Sequence, residues 1–264
     1  MKNSIKSLCI IPARGGSKSV SKKNLTQIGN STLFYYAAEC IKESEMINRT
    51  IVSTDSNEIA DHARILGLEV PFLRPSELAG DDVTDWPVFM HSLQWLEKNE
   101  GYRPDIIVHL RVTSPFAFKR IDSSKSNFPE NWAYIKREQI IDKMIPMLVE
   151  NPEMDSIRTV ELVRDTPYKM WKIENGILKP FIQSDIKEIY NQPRQKIPPA
   201  YLQNGYVDVT RYNTIVKKKS MNGDIIGSSI LDCDYFVDID QYSDIELGEL
   251  MFQQIIMGKS GGNK

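Results

Sequence analysis

The residues most able to do chemistry crowd one short stretch near the N-terminus, Pro12-Ala13-Arg14-Gly15-Gly16-Ser17-Lys18-Ser19-Val20-Ser21-Lys22-Lys23-Asn24. Arg14, Lys18, Lys22 and Lys23 put four positive charges within ten residues. The Gly15-Gly16 pair lets the backbone turn tightly and aim several N–H groups at one point, which forms an anion-binding nest. Such a loop at the tip of a first strand suits a nucleoside triphosphate; a solvated basic loop is the plainer alternative. The spacing is neither G-x-x-x-x-G-K-[ST] nor G-x-G-x-x-G, which argues against a Walker A loop and a dinucleotide fold.

A second group lies far along the chain, Asp238-Ile239-Asp240. Carboxylates at i and i+2 of a strand point to opposite faces, so they can share one ion only where the strand ends. Mg2+ needs one or two carboxylates together with phosphate oxygens and water, and this pair can supply them. A turn-forming acidic run is the alternative. His62, His91 and His109 show neither triad nor metal spacing. The three cysteines, Cys9, Cys40 and Cys233, are odd in number and far apart. They read as reduced, partly buried residues of a cytoplasmic protein.

The elements that must position these groups follow from the apolar pattern. Ser7–Pro12, Arg49–Ser53, Glu69–Leu73 and Asp105–Leu110 read as strands. Leu33–Ile41, Asn57–Leu66 and Trp86–Leu96 have helical spacing. That rhythm predicts βαβ units and a mostly parallel sheet with helices on both faces, its ligands beyond the carboxyl ends of the strands. The stretch Phe116–Arg137 fits neither template. A helix is expected over about Glu138–Val149, with Pro146 kinking it or starting a new turn. From Ile157 to Pro199 the sequence looks extended, and Asn175-Gly176 marks a hairpin. Strands resume at Gly205–Thr210, Ile225–Leu231 and Phe236–Ile239, and a last helix spans about Asp244–Ile256.

The chain has 264 residues, 41% hydrophobic and 26% charged, with a formal charge of -2. That length suits a single domain, residues 1–264, with room for an excursion. The near-neutral balance excludes a general nucleic-acid binder. No apolar run suggests a membrane span, and Leu8–Pro12 is too short for a signal-peptide core.

Ile11-Pro-Ala-Arg-Gly-Gly-Ser-Lys18 with Lys23-Asn24 resembles the signature of acylneuraminate cytidylyltransferases, the CMP-sialic acid synthetases and their nonulosonic-acid relatives. The resemblance continues in order through Ile51-Val-Ser-Thr-Asp55, Leu73-Arg-Pro-Ser-Glu-Leu-Ala79, Thr113-Ser-Pro115, Pro193-Arg194-Gln195, Asn204-Gly205 and Val237-Asp238-Ile-Asp240. It implies a Rossmann-like nucleotidyltransferase fold with a small extended dimerisation arm, which the Pro-rich span 163–199 would form, and a homodimer. It implies a reaction that joins CTP to the anomeric hydroxyl of an acidic nine-carbon 2-keto sugar and releases pyrophosphate. Arg14, Gly16, Ser17, Lys18 and Lys23 would then hold the triphosphate, with Lys23 at the α-phosphate and Asn24 near the ribose. Arg74 and Asp85 would line the base pocket, Asp238 and Asp240 would hold Mg2+, and Arg111, Arg194, Gln203 and Asn204 would face the sugar.

The sequence also departs from the family. Ser19 and Ser21 stand where Gly and Pro are usual, and Arg111-Val112-Thr113 replaces a stretch that commonly carries Gln. Asp85 falls where a small residue is common. A carboxylate there can accept from cytosine N4–H₂ but equally from a guanine edge, so GTP stays open beside CTP. Arg194 can engage the sugar's carboxylate or anchor the arm. A glycosyltransferase D-x-D reading of Asp238-Ile239-Asp240 and a non-catalytic sugar- or nucleotide-binding module are the remaining alternatives.

Overall fold

The computed structural model describes residues 5–120 and 132–253. The first half runs β1 (Ser7–Pro12), β2 (Gln27–Ile28), β3 (Ser31–Thr32), α1 (Leu33–Glu43), β4 (Arg49–Ser53), α2 (Asn57–Ile65), α3 (Asp85–Glu100) and β5 (Ile106–His109). Then come β6 (Phe116–Arg120), β7 (Trp132–Tyr134), α4 (Arg137–Glu150) and β8 (Ser156–Leu162). The chain continues through β9 (Trp171–Glu174), β10 (Ile177–Pro180), β11 (Tyr201–Arg211), α5 (Tyr212–Val216), β12 (Ile226–Ile230), β13 (Tyr235–Val237) and α6 (Tyr242–Met251).

Six strands form the central sheet in the order β12-β8-β11-β5-β1-β4. β1 is parallel to both β4 and β5, and β12 is parallel to β8. β11 runs antiparallel to β5 and β8, so the sheet is mostly parallel with one reversed strand at its centre. β1 shows why both faces are covered. Leu8 and Ile10 join Phe89 and Leu93 of α3 and Ile215 of α5 in one core cluster. Cys9 and Ile11 join Phe34 of α1 and Ile141 and Met144 of α4 in another. Successive side chains of a strand alternate faces, so an unbroken apolar run can serve two helix layers at once.

Several expected elements differ from the structure. Glu69–Leu73 is not a strand. It touches the sheet only through isolated bridges, Ile51 with Glu69 and Thr54 with Leu73, because Pro71 has no N–H to offer a ladder. α4 remains one helix through Pro146, and burial of Ile141, Met144, Ile145 and Leu148 on either side offsets the missing hydrogen bond. The stretch from Phe116, left without an element by the sequence pattern, supplies β6, which pairs with β7 and β13. β11 begins at Tyr201, earlier than the pattern shows, and carries an irregularity between Gln203 and Asp208. The last helix begins at Tyr242, ahead of Asp244, which sits at its third position and completes a capping box with Gln241. The remainder of its expected span, beyond residue 253, lies outside the described residues.

The Asn175-Gly176 hairpin is present, with both residues at positive φ, as a type I′ turn requires. Its strands pair only with each other, and Ile173, Ile177, Leu178 and Phe181 are exposed. Among the described residues no helix is long and apolar enough to cross a membrane.

Candidate active site

The parallel strands β4, β1 and β5 end side by side, and the loops that leave them build the site. From Pro12 the chain enters the basic loop. Gly15 N–H donates to the Asp55 carboxylate at 2.9 Å, just beyond β4. A Cβ on Gly15 would fall 2.9 Å from the Ser56 Cβ, so this close approach needs glycine. Asn24 ties the far end of the loop back by donating to the Arg14 carbonyl at 2.9 Å. Lys22 adopts a left-handed φ of 51°, turning the chain into a short 3₁₀ turn at Lys23.

A cleft of about 510 Å³ opens over these strand ends. It is lined by Arg14, Gly16, Ser17, Lys18, Lys23 and Asn24 on the loop side, and by Arg74, Asp85 and Arg111 on the other. These are the residues singled out for nucleotide binding, with Arg111 from the sugar side, and the fold brings them together. The loop's cations stand against protein carboxylates. Arg14 pairs with Asp81 at 2.9 Å and Lys18 pairs with the same carboxylate, which holds its pKa below the usual range. Lys23 pairs with Asp240 at 2.8 Å. Arg74 is 6% exposed, and its Nη2 lies 3.7 Å from Asp55. Burial lowers the pKa of Arg74.

The acidic pair meets the geometric condition set by the sequence. β13 ends at Val237, so Asp238 and Asp240 lie past the strand rather than on its opposite faces. Ile239 N–H donates to the Thr113 carbonyl at 2.8 Å, and Asp238 accepts from Ser114 Oγ at 2.9 Å. The late acidic segment is thereby laced to the loop after β5. Asp244 accepts from the Asp240 and Gln241 N–H groups, both at 2.8 Å, and fixes the backbone there. Burial raises the Asp238 pKa against the Ser114 hydrogen bond, and the Asp240 charge raises it further. Two carboxylates that repel each other, one already facing Lys23, form a donor set that suits a hard divalent cation.

On the opposite wall Arg111 is held by three groups. Its Nη1 donates to Asp208 at 3.0 Å and to the Gly205 carbonyl at 3.3 Å, and its Nη2 reaches Asp85 at 3.3 Å. Asp208 also accepts from Arg158 at 2.9 and 3.1 Å. Gly205, at φ +69°, lets this arginine pass within 3.2 Å of where a Cβ would stand. Arg137, 2% exposed, supports the wall from behind by donating to the Arg111 and Tyr206 carbonyls. His109 is 3% exposed beside them, and burial, reinforced by the Arg111 charge, pushes it down to about 3. It is a neutral imidazole.

A smaller cavity of about 280 Å³ shares Asp85, His109 and Arg111 with the main cleft and adds Gln203, Arg158 and Asp208. Gln203, expected to face the sugar, lines this smaller cavity. Asn204 is buried, and its Oδ1 accepts from Thr159 Oγ1 and Tyr206 N–H, which makes it part of the sheet's internal bracing. Within one chain Arg194 is not brought to the cleft. It donates to the Val163 carbonyl at 3.3 Å and lines a separate cavity with Val163, Ile197 and Ala200. The sequence reading missed Asp81 as the partner of the basic loop, and it missed Arg158, Asp208 and Arg137 entirely. A carboxylate between two valines, Val207-Asp208-Val209, was the one local signal, and nothing in the polar strand Ser156–Leu162 marks Arg158.

The cytidylyltransferase family matches residues 8–165, more than half of the chain. The post-translational flagellin modification protein B of Campylobacter coli is 25% identical over 247 residues, covering 94% of this chain and 95% of that protein. The pseudaminic acid cytidylyltransferase of Campylobacter jejuni is 33% identical over 118 residues, 44% of this chain and 50% of the relative. The match therefore spans about half the length of that enzyme. Among solved structures, a CMP:2-keto-3-deoxy-manno-octonic acid synthetase complexed with CTP superposes with a TM-score of 0.62 at 13% identity, covering 94% of this chain and 99% of the other. That likeness shows the fold. Motif order, family match and fold agree, and the chain belongs to the cytidylyltransferase family, with the architecture of a nucleotidyltransferase enzyme.

Proposed function

We propose that the protein couples CTP to the anomeric hydroxyl of a sialic-acid-like 2-keto acid sugar, giving the CMP-sugar and pyrophosphate. The observation that carries this reading is the cleft itself. Arg14, Lys18 and Lys23 converge at the end of β1, each facing a carboxylate that a triphosphate can replace. The names of relatives in the same family support a nonulosonic acid as acceptor.

The sugar hydroxyl oxygen forms the new bond to the α-phosphorus, the bond from that phosphorus to the bridging oxygen breaks, and the hydroxyl proton passes to solvent. Charge grows on the departing pyrophosphate, and Arg14 and Lys18 neutralise it. Lys23, once exchanged from Asp240, faces the α-phosphate. Asp238 and Asp240 would hold Mg2+, which supplies charge neutralisation across the phosphates. Asp85 accepts from the cytosine amine with Arg74 beside it, Asn24 lies near the ribose, and Arg111 and Gln203 face the acceptor. The arm at 163–199 pairs with a second copy, and the working form is a homodimer, placed in the cytoplasm by its reduced-cysteine composition. Its exposed Ile173, Leu178 and Phe181 support that reading.

The test is pyrophosphate release with Mg2+, an acidic nonulosonic acid and CTP, UTP, GTP or ATP in parallel. Release with CTP supports the function. Preference for GTP overturns the base reading, and no release with any nucleotide overturns the function.

A further inference from the structure

Two features of the acceptor wall do not follow from nucleotide chemistry. Arg111 lines both cavities, and a nearly buried carboxylate, Asp208, is bridged to it from the neighbouring strand. Asp208 serves two guanidiniums, so the trio of Arg111, Arg158 and Asp208 carries one surplus positive charge. Asp85 balances it at 3.3 Å from Arg111 Nη2. The two carboxylates differ in kind. The Asp208 side chain is 5% exposed and that of Asp85 is 46% exposed. A solvent-facing ion pair is weak, whereas a desolvated, doubly paired one is fixed. Arg111 Nη1 is therefore anchored and Nη2 is the end that can change partners.

We infer that Arg111 is the residue that binds the acceptor's carboxylate, taking it in place of Asp85, and that Asp208 and Arg158 are positioning residues that aim it. This rests on the reading under Proposed function and adds which acceptor group is recognised and by what. An incoming carboxylate restores the charge balance that Asp85 leaves when it turns to the cytosine amine; a neutral group would leave Arg111 unmatched. Arg111 lines both cavities, so its free end stands between nucleotide and acceptor. Arg158 keeps Asp208 ionised in the interior, and neutral His109 adds no competing charge. Arg194, the other candidate for the carboxylate, lies at the arm.

The experiment compares the nonulosonic acid that supports fastest pyrophosphate release with its C1 methyl amide. KM for each is measured in wild type, Arg111→Gln, Arg194→Gln and Arg158→Lys, with KM for CTP read in the same assay. Wild type should discriminate against the amide by about tenfold or more, as a charge-assisted hydrogen bond from Nη2 requires. Arg111→Gln should lose that discrimination, and Arg194→Gln should keep it. Arg158→Lys should raise the acceptor KM severalfold with little change for CTP. Discrimination that persists in Arg111→Gln, or vanishes in Arg194→Gln, overturns the inference while leaving cytidylyl transfer intact. Failure of any acid to react with CTP overturns the function and the inference with it.

Discussion

Acidification should destabilise this protein through His109, by an amount its burial sets. The imidazole is 3% exposed, packs edge-on against Phe89 with ring centroids 4.7 Å apart, and sits beside Arg111. Burial and that positive charge hold its pKa at about 3, against about 6.5 for a free histidine. The unfolded chain therefore binds a proton between those values that the folded chain refuses. Stability is full above about pH 6.5 and falls as pH drops toward 3. Linkage gives a loss of about 2 kcal/mol on moving from about pH 7.5 to about pH 5. His91, also lowered chiefly by burial, adds in the same direction, so the diagnostic quantity is a difference between proteins. Urea unfolding followed by tryptophan fluorescence at both pH values measures it. His109→Gln should remove most of the loss assigned to His109, whatever its effect at neutral pH. An identical pH dependence in wild type and variant would refute the argument.

Asp240→Asn, and less severely Asp238→Asn, should lower kcat by about a hundredfold or more at limiting Mg2+ with little change in melting temperature. Near-normal rates in both variants would remove the metal role. Asp85→Ala should erase a CTP-over-UTP preference of about tenfold to hundredfold in kcat/KM, because uracil presents a carbonyl where cytosine presents an amine. Sedimentation should show a dimer at micromolar concentration, and Phe181→Asp with Ile173→Asp should shift it toward monomer; a monomeric wild type would dispose of the arm's proposed role.

How much of this was legible in the sequence depends on how local each feature is. The basic loop, β1 and the Asn175-Gly176 hairpin are written in consecutive residues, and the structure shows all three. The end of β13 was not readable: the apolar pattern carries that strand through Ile239, whereas it stops at Val237, where Asp238 accepts from Ser114 in the loop after β5. The reversed strand β11 was not readable either, since no periodicity says which neighbours a strand takes. The Arg111-Asp208-Arg158 wall was invisible for the same reason: its members sit after β5, in β11 and in β8, and only register joins them. Arg194 was left by its motif position between the sugar's carboxylate and the arm, and within one chain it donates to the Val163 carbonyl. Asp81 lies two residues past Leu78-Ala79, and nothing in the spacing says it faces Arg14 and Lys18.

Under the proposed function the α-phosphorus of CTP is transferred to a sugar hydroxyl. CTP labelled at its α-phosphorus, incubated with the protein, Mg2+ and the acidic sugar, follows that atom directly. Label is expected in a phosphatase-resistant CMP-sugar, with pyrophosphate formed in equal amount. Label recovered in free CMP or CDP with no sugar adduct would contradict that function.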